Sequence, residues 1–155
     1  MQRASLYWVV GLVGGLLLST MMFRINISPS VPIGLYRLAT VPADVRPGML
    51  VLFPAPSIIH PWWSRWLPLL KPVAAVAGET VCNIEDMLWI HDTAYGHIFH
   101  EAHGKPLPHI EGCMMVPEGA VFVASQVPKS LDSRYYGPIA VSALAAQAFP
   151  VLTWR

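Results

Sequence analysis

Twenty consecutive uncharged residues, Ala4 to Phe23, lie between Arg3 and Arg24. A helix rises about 1.5 Å per residue, so such a stretch spans roughly 30 Å, the thickness of one bilayer hydrocarbon core. Its middle, Val9 to Leu18, contains Gly11, Gly14 and Gly15. Glycines weaken a helix in water but are common in membrane helices. Tyr7 and Trp8 stand where an interfacial aromatic belt would fall. A cleaved leader would have a shorter apolar run and then a small-x-small site. Ser19-Thr20-Met21-Met22-Phe23-Arg24 offers no such site. The expectation is an uncleaved transmembrane helix over residues 5–23, in contact with lipid, with residues 24–155 forming one domain on one side. Arg3 and the amino terminus oppose Arg24 and Arg37, so charge alone does not choose the side.

The 155 residues are 54% hydrophobic and only 12% charged. The charged share is about half the usual one, which excludes global disorder. A net charge of +1 supplies no basic field to hold nucleic acid, and no nucleic-acid partner is expected. Fifteen prolines and eleven glycines favour strands and turns over a helical bundle. Gly34 to Leu38 reads as the start of a strand. Pro47-Gly48 reads as a turn leading into a buried strand, Met49 to Phe53, that Pro54 ends. Val73 to Val76, Met87 to Ile90 and Gly119 to Ala124 read as further strands, and a closing strand is expected near Val151 to Trp154. Residues 54–68 carry Trp62, Trp63 and Trp66 among four prolines, and fit either a packed loop or a face dipping into the membrane interface. Many short strands with turn punctuation make the domain mainly β.

Three constellations can carry chemistry. Ser28-Pro29-Ser30-Val31-Pro32-Ile33-Gly34 follows the apolar segment, and its prolines stiffen a turn bearing two hydroxyls. A nucleophilic serine needs such a mount and a base; a stiff linker has the same look. Lys71 is embedded in the apolar run Trp66 to Gly78. Desolvation lowers an ammonium's pKa and can make lysine a neutral general base, although a snorkelling lysine at a sheet edge fits the same pattern. In Ser130-Leu131-Asp132-Ser133-Arg134-Tyr135-Tyr136-Gly137-Pro138, Asp132 and Arg134 would share one face of a strand between serine hydroxyls. A turn with a salt bridge fits this segment equally well.

Together the three resemble the sequence boxes of the S26 signal peptidase family, in particular its TraF-type conjugative transfer branch. Ser30 to Arg37 is similar to that branch's nucleophile box, Ser-x-Pro-x-Gly-Leu-Tyr-Arg. Lys71 to Glu79 is similar to the Lys-Arg-Val-x-Ala-x-x-Gly-Asp box, and Ser130 to Pro138 to the Ser-x-Asp-Ser-Arg-Tyr-Phe-Gly-Pro box. The boxes stand in family order, and the resemblance covers about residues 5–155. It implies an open, coiled antiparallel β domain with its active site beside the membrane, on the periplasmic side of the bacterial cytoplasmic membrane. It implies a serine endopeptidase without a cofactor that removes leader peptides from exported precursors, here a conjugative pilin precursor. Ser30 would be the nucleophile and Lys71 its base. Ser28 and the Ser30 N–H would bind the oxyanion. Ser130 would orient the lysine amine, with Asp132 and Arg134 supporting that wall. The competing reading is a non-catalytic, membrane-tethered β module of a secretion or conjugation assembly.

The departures from the family pattern leave every reacting atom in place. Pro72 stands for the arginine after the base and removes one backbone donor that could hold Lys71 in position. Glu79 replaces an aspartate, and Val31 a frequent methionine. Only residues 82–118 are available for the large second domain of housekeeping signal peptidases, so they are expected as a hairpin-like excursion. Cys82 and Cys113, the only cysteines, are expected to close it as an extracytoplasmic disulfide. His97, His100 and His103 recur every third residue, with His91 and His109 nearby. On a helix that spacing could hold a metal, but helix support is weak and no partner motif accompanies it, so a solvated loop without metal is expected.

Overall fold

The computed structural model describes residues 22–56, 68–102 and 104–154. The segment expected to span the membrane lies outside them except at its end, as does the tryptophan cluster. Among the described residues no helix is long and apolar enough to cross a membrane.

Apolar, β-branched stretches punctuated by proline and glycine give a mainly β molecule, with thirteen strands among the described residues. They are β1 (Phe23–Asn26), β2 (Ile33–Ala39), β3 (Leu50–Phe53), β4 (Leu69–Val76), β5 (Thr80–Ile84), β6 (Met87–Ile90) and β7 (Thr93–His97). After these come β8 (Glu101–Ala102), β9 (Lys105–Pro106), β10 (Cys113–Met115), β11 (Ala120–Val123), β12 (Ile139–Ala140) and β13 (Ala146–Trp154). One short helix, α1 (Ser133–Tyr136), falls between β11 and β12. Seven strands form an open sheet in the order β1-β2-β13-β3-β4-β11-β12, and every pairing in it is antiparallel. The segment between Cys82 and Cys113 contributes to a second antiparallel sheet, β10-β5-β6-β7, and carries the small β8–β9 ribbon.

Several expectations need correction at their edges. Phe23, assigned to the anchor, opens β1 and pairs with Arg37. The closing strand is not confined to residues 151–154. It begins at Ala146 and runs nine residues through the sheet, between β2 and β3. Only its first third, Ala146 to Ala148, pairs with β3 and so carries the buried alternation. Its second half leaves Val151, Leu152 and Trp154 exposed, which is why its sequence pattern is weak.

Gly34 is fixed by this crossing. A Cβ there would lie 2.1 Å from the Leu152 carbonyl oxygen, and its φ is +153°. The β2–β13 register shifts between Pro150 and Leu152, so β13 passes directly over the glycine. No side chain fits between the two backbones.

β4 explains the continuous apolar run around Lys71. It lies inside the sheet between β3 and β11, and its side chains enter all three parts of the core. A strand covered on both faces has no polar side to alternate with. Pro72 sits on this interior strand beside the shift in β4–β11 register between Phe122 and Val123. The irregular ladder there accommodates a residue without an N–H, and the Pro72 carbonyl still accepts from the Ala124 N–H at 3.2 Å.

Candidate active site

The loop between β1 and β2 carries Ser28 and Ser30, and Asn26 and Gly34 close its base as cross-strand partners. Lys71 reaches the loop from β4. Ser130 precedes α1. Lys71 Nζ lies 2.5 Å from Ser30 Oγ and 2.9 Å from Ser130 Oγ, and the two hydroxyls are 3.4 Å apart. Chain segments 41 and 100 residues from Ser30 thus converge on its hydroxyl. Pro72 has not displaced the lysine.

Lys71 is only 4% exposed. Burial lowers its pKa to about 8; the Asp132 carboxylate opposes that shift and the Arg134 guanidinium adds to it, each to a smaller degree. About one amine in ten is then neutral at pH 7. The neutral amine has a lone pair within hydrogen-bond reach of the Ser30 hydroxyl.

Of the two arrangements the spacing left open for Asp132 and Arg134, a shared strand face or a turn with a salt bridge, the structure has the second. Asp132 caps α1, and its carboxylate accepts from the Arg134 N–H. Aspartate is favoured at that position because it satisfies one of the free N–H groups of the first turn. The Arg134 Nε donates to Asp132 Oδ1 at 2.7 Å, and both side chains are fully buried. Arg134 also donates to the carbonyls of Ser125 (2.7 Å) and His97 (3.0 Å), tying the second sheet to the wall beside Lys71. The Ser133 hydroxyl accepts from the Val123 N–H, which fixes α1 against β11.

The Ser28 hydroxyl donates to Asn26 Oδ1 at 3.0 Å in this arrangement. Asn26 and Ser125 are buried polar residues that the sequence motifs did not single out. Ser125 donates from Oγ to the Ser30 carbonyl at 2.7 Å. Ser125 closes the apolar run Ala120 to Ala124 and Asn26 stands between Ile25 and Ile27, but neither position marks a buried polar group until its partners are placed. Among the described residues, the buried polar side chains are Asn26, Lys71, Ser125, Ser130, Asp132, Ser133 and Arg134. All seven take part in the hydrogen-bonded surroundings just described.

Cys82 and Cys113 are cross-strand partners on β5 and β10 and are joined by a disulfide. The bridge closes a 31-residue separation. Loop entropy gives it about 3–4 kcal/mol. Replacing both cysteines with serine should lower the unfolding free energy by about that amount, read from denaturant curves, while a parent chain already insensitive to reductant would contradict the assignment.

The histidines do not form a helical row. His97 ends β7, His100 pairs with Asp86 at 2.8 Å and stacks edge-on against His109, and His91 meets Glu79 at 3.2 Å. His103 lies outside the described residues. Among those described, no group of three His, Cys, Asp or Glu side chains is placed to hold a metal. A broad cleft of about 1130 Å³ lies on the second sheet, bordered by Glu79, Trp89 and His97, and neither Ser30 nor Lys71 lines it.

A serine hydroxyl beside a buried lysine amine, on a mainly β scaffold, agrees with what family comparison finds. The model of the family described as signal peptidase, peptidase S26, matches residues 4–154, and the chain belongs to that family. Within it, the chain is similar to the conjugal transfer protein TraF of Agrobacterium fabrum (strain C58), with 33% identity over 94% of this chain and 87% of the relative. It is also similar to a plasmid transfer protein TraF of Escherichia coli, 27% identical over 99% of this chain and 98% of that one. Among solved structures, a signal peptidase I of Enterococcus faecalis V583 matches 67% of this chain and 96% of its own, at 19% identity and a TM-score of 0.42.

Proposed function

We propose that this chain is a membrane-anchored serine endopeptidase that cuts leader peptides from exported precursors with a Ser30–Lys71 dyad. The carrying observation is the buried Lys71 amine 2.5 Å from Ser30 Oγ, with its pKa lowered to about 8. In acylation the Ser30 oxygen attacks the scissile carbonyl carbon while Lys71 Nζ takes the hydroxyl proton. The resulting ammonium returns that proton to the departing amine. Water then attacks the acyl-enzyme carbonyl carbon while Lys71 accepts its proton, and as the bond to Ser30 Oγ breaks and the carboxylate product leaves, the ammonium returns that proton to Ser30. Ser130 holds the amine in line, and the Ser30 N–H and the Ser28 hydroxyl serve the oxyanion. For that role Ser28 exchanges its Asn26 acceptor for the substrate oxygen.

The relatives named for conjugal and plasmid transfer support a pilin precursor of a conjugation apparatus as the substrate. Two features support a domain outside the cytoplasmic membrane and against the bilayer. The Cys82–Cys113 bridge suits an oxidising compartment. Met22, at the end of the apolar amino-terminal segment, and Ile25 and Ile27, which follow it in sequence, are all more than half exposed, as are Leu152 and Trp154 on β13, which pairs with β2 beside β1.

The test uses the full chain in detergent with a candidate pilin precursor encoded beside it. Cleavage should occur with the parent and fall to background with Ser30→Ala. Equal cleavage by both would remove the dyad. An inert parent would leave the non-catalytic, tethered module as the better reading.

A further inference from the structure

The loop that carries Ser30 has no strand ladder to hold it. β1 ends at Asn26 and β2 begins at Ile33, so residues 27–32 lie beyond the last paired residues, and Pro29 and Pro32 have no N–H. An attacking oxygen placed about 1 Å off line can lose about a hundredfold in rate, so a nucleophile on such a loop needs other restraints.

The restraints come from side chains. Within segment 28–32, the carbonyls of Ser28, Val31 and Pro32 accept from Asn26 Nδ2 at 2.8, 3.2 and 3.1 Å. The Tyr36 hydroxyl also donates to Pro32 O, at 2.6 Å. These contacts come from within the β1–β2 hairpin and keep the loop's shape. They do not fix where the loop sits relative to Lys71. The Ser30 carbonyl is bound from outside the hairpin, by Ser125 Oγ at 2.7 Å. Among the described residues, this is the hydrogen bond that joins the loop backbone to the wall bearing Asp132 and Arg134.

Ser125 is itself held at every polar atom. Its N–H donates to Asp132 Oδ2 at 3.1 Å, its carbonyl accepts from Arg134 Nη2 at 2.7 Å, and its hydroxyl also accepts from the Val127 N–H at 3.2 Å. It is 4% exposed. Its hydroxyl has one proton, and the Ser30 carbonyl is the acceptor that proton meets.

Building on the proposed dyad, we propose that Ser125 is a positioning residue for the nucleophile: it transfers the rigidity of the buried Asp132–Arg134 pair to the Ser30 backbone and so sets the line of attack. Among the described residues it hydrogen-bonds neither the Lys71 amine nor the Ser30 hydroxyl, so its effect is on geometry and not on the base.

The experiment compares the full-length parent with Ser125→Ala, Ser125→Cys and Ser125→Thr in precursor cleavage across pH, together with the rate of Ser30 acylation by a penem. Ser125→Ala should lower kcat and the acylation rate by about 30- to 100-fold, with KM within about twofold and the midpoint of the pH profile unmoved. Ser125→Cys keeps the volume but is a weak donor, and should lose nearly as much. Ser125→Thr keeps the hydroxyl and should recover most of the rate. Should Ser125→Ala fail to fold, the Cys and Thr variants carry the comparison. A kcat for Ser125→Ala within about twofold of the parent, full activity in Ser125→Cys, or a displaced pH midpoint would each overturn the positioning role. A parent that neither cleaves nor acylates would instead overturn the peptidase reading on which the role rests.

Discussion

Lys71→Arg should reduce precursor cleavage by about 10⁴-fold or more, although the positive charge is retained. A guanidinium does not release its proton in a protein, so it cannot take one from Ser30. The same reasoning fixes the pH dependence of the parent. In the proposed dyad the base is the neutral amine, and with the Lys71 pKa lowered to about 8 the activity should climb with pH and level off above that value. At pH 6 only about one lysine in a hundred would be neutral, so kcat/KM should be roughly a hundredfold below its plateau. The alternative base is a histidine, which would place the midpoint near 6.5. The geometry disfavours it: the imidazoles of His91 and His100 are engaged with Glu79 and Asp86 on the second sheet, whereas the group hydrogen-bonded to Ser30 Oγ is an amine. Replacing His97, His100 and His103 together should therefore leave the profile unchanged. Cleavage by Lys71→Arg, or its loss in a folded triple-histidine variant, would show that the base has been misassigned.

How much of this could be read from the chain depends on how local each signal is. β3, β6 and β11 were legible because each is a short apolar run bounded by turn residues, and the pattern needs no knowledge of its partners. Ser30, Lys71 and Ser130 were legible as members of family boxes; their convergence across 100 residues was implied by that resemblance and by nothing in the spacing itself. β1 was hidden because Phe23 continues the apolar stretch before it, and pairing with β2 is what distinguishes strand from anchor there. β13 was legible only near its end, for the opposite reason. It pairs with strands more than ninety residues earlier, and much of its length is exposed. Two residues apart, Asp132 and Arg134 suit a strand face or a capped turn, and only the cap makes use of the free N–H groups that begin α1. Asn26 and Ser125 carry no motif. Their roles depend on carbonyls that a loop and a wall leave to be satisfied, and those become visible only when both are placed.

The largest stability loss is expected from Arg134→Met. The substitution keeps much of the side chain's length and apolar volume but leaves the Asp132 carboxylate fully buried without its cation. It also strips the Ser125 and His97 carbonyls of a donor. Breaking a buried pair by removing one partner typically costs about 3–5 kcal/mol. For a chain of this size that corresponds to a fall in Tm of roughly 10–15 °C. The cause can be isolated by adding Asp132→Asn. Asparagine carries no charge, and its one oxygen keeps an acceptor for either the Ser125 or the Arg134 N–H group, while its NH2 faces the other. The double variant should therefore recover part of the loss, because the stranded charge is gone while the two carbonyls still lack a donor. A double variant no more stable than Arg134→Met would assign the loss to backbone groups left without partners and not to the stranded charge, and a single variant within about 1 kcal/mol of the parent would mean that the pair does not support the wall at all. Activity measured on the same proteins, well below their unfolding temperatures, adds a second reading. With Arg134 absent, Ser125 loses the contact on its carbonyl, so kcat should fall even where the chain is fully folded, by the same route through the Ser30 carbonyl that Ser125→Ala interrupts directly.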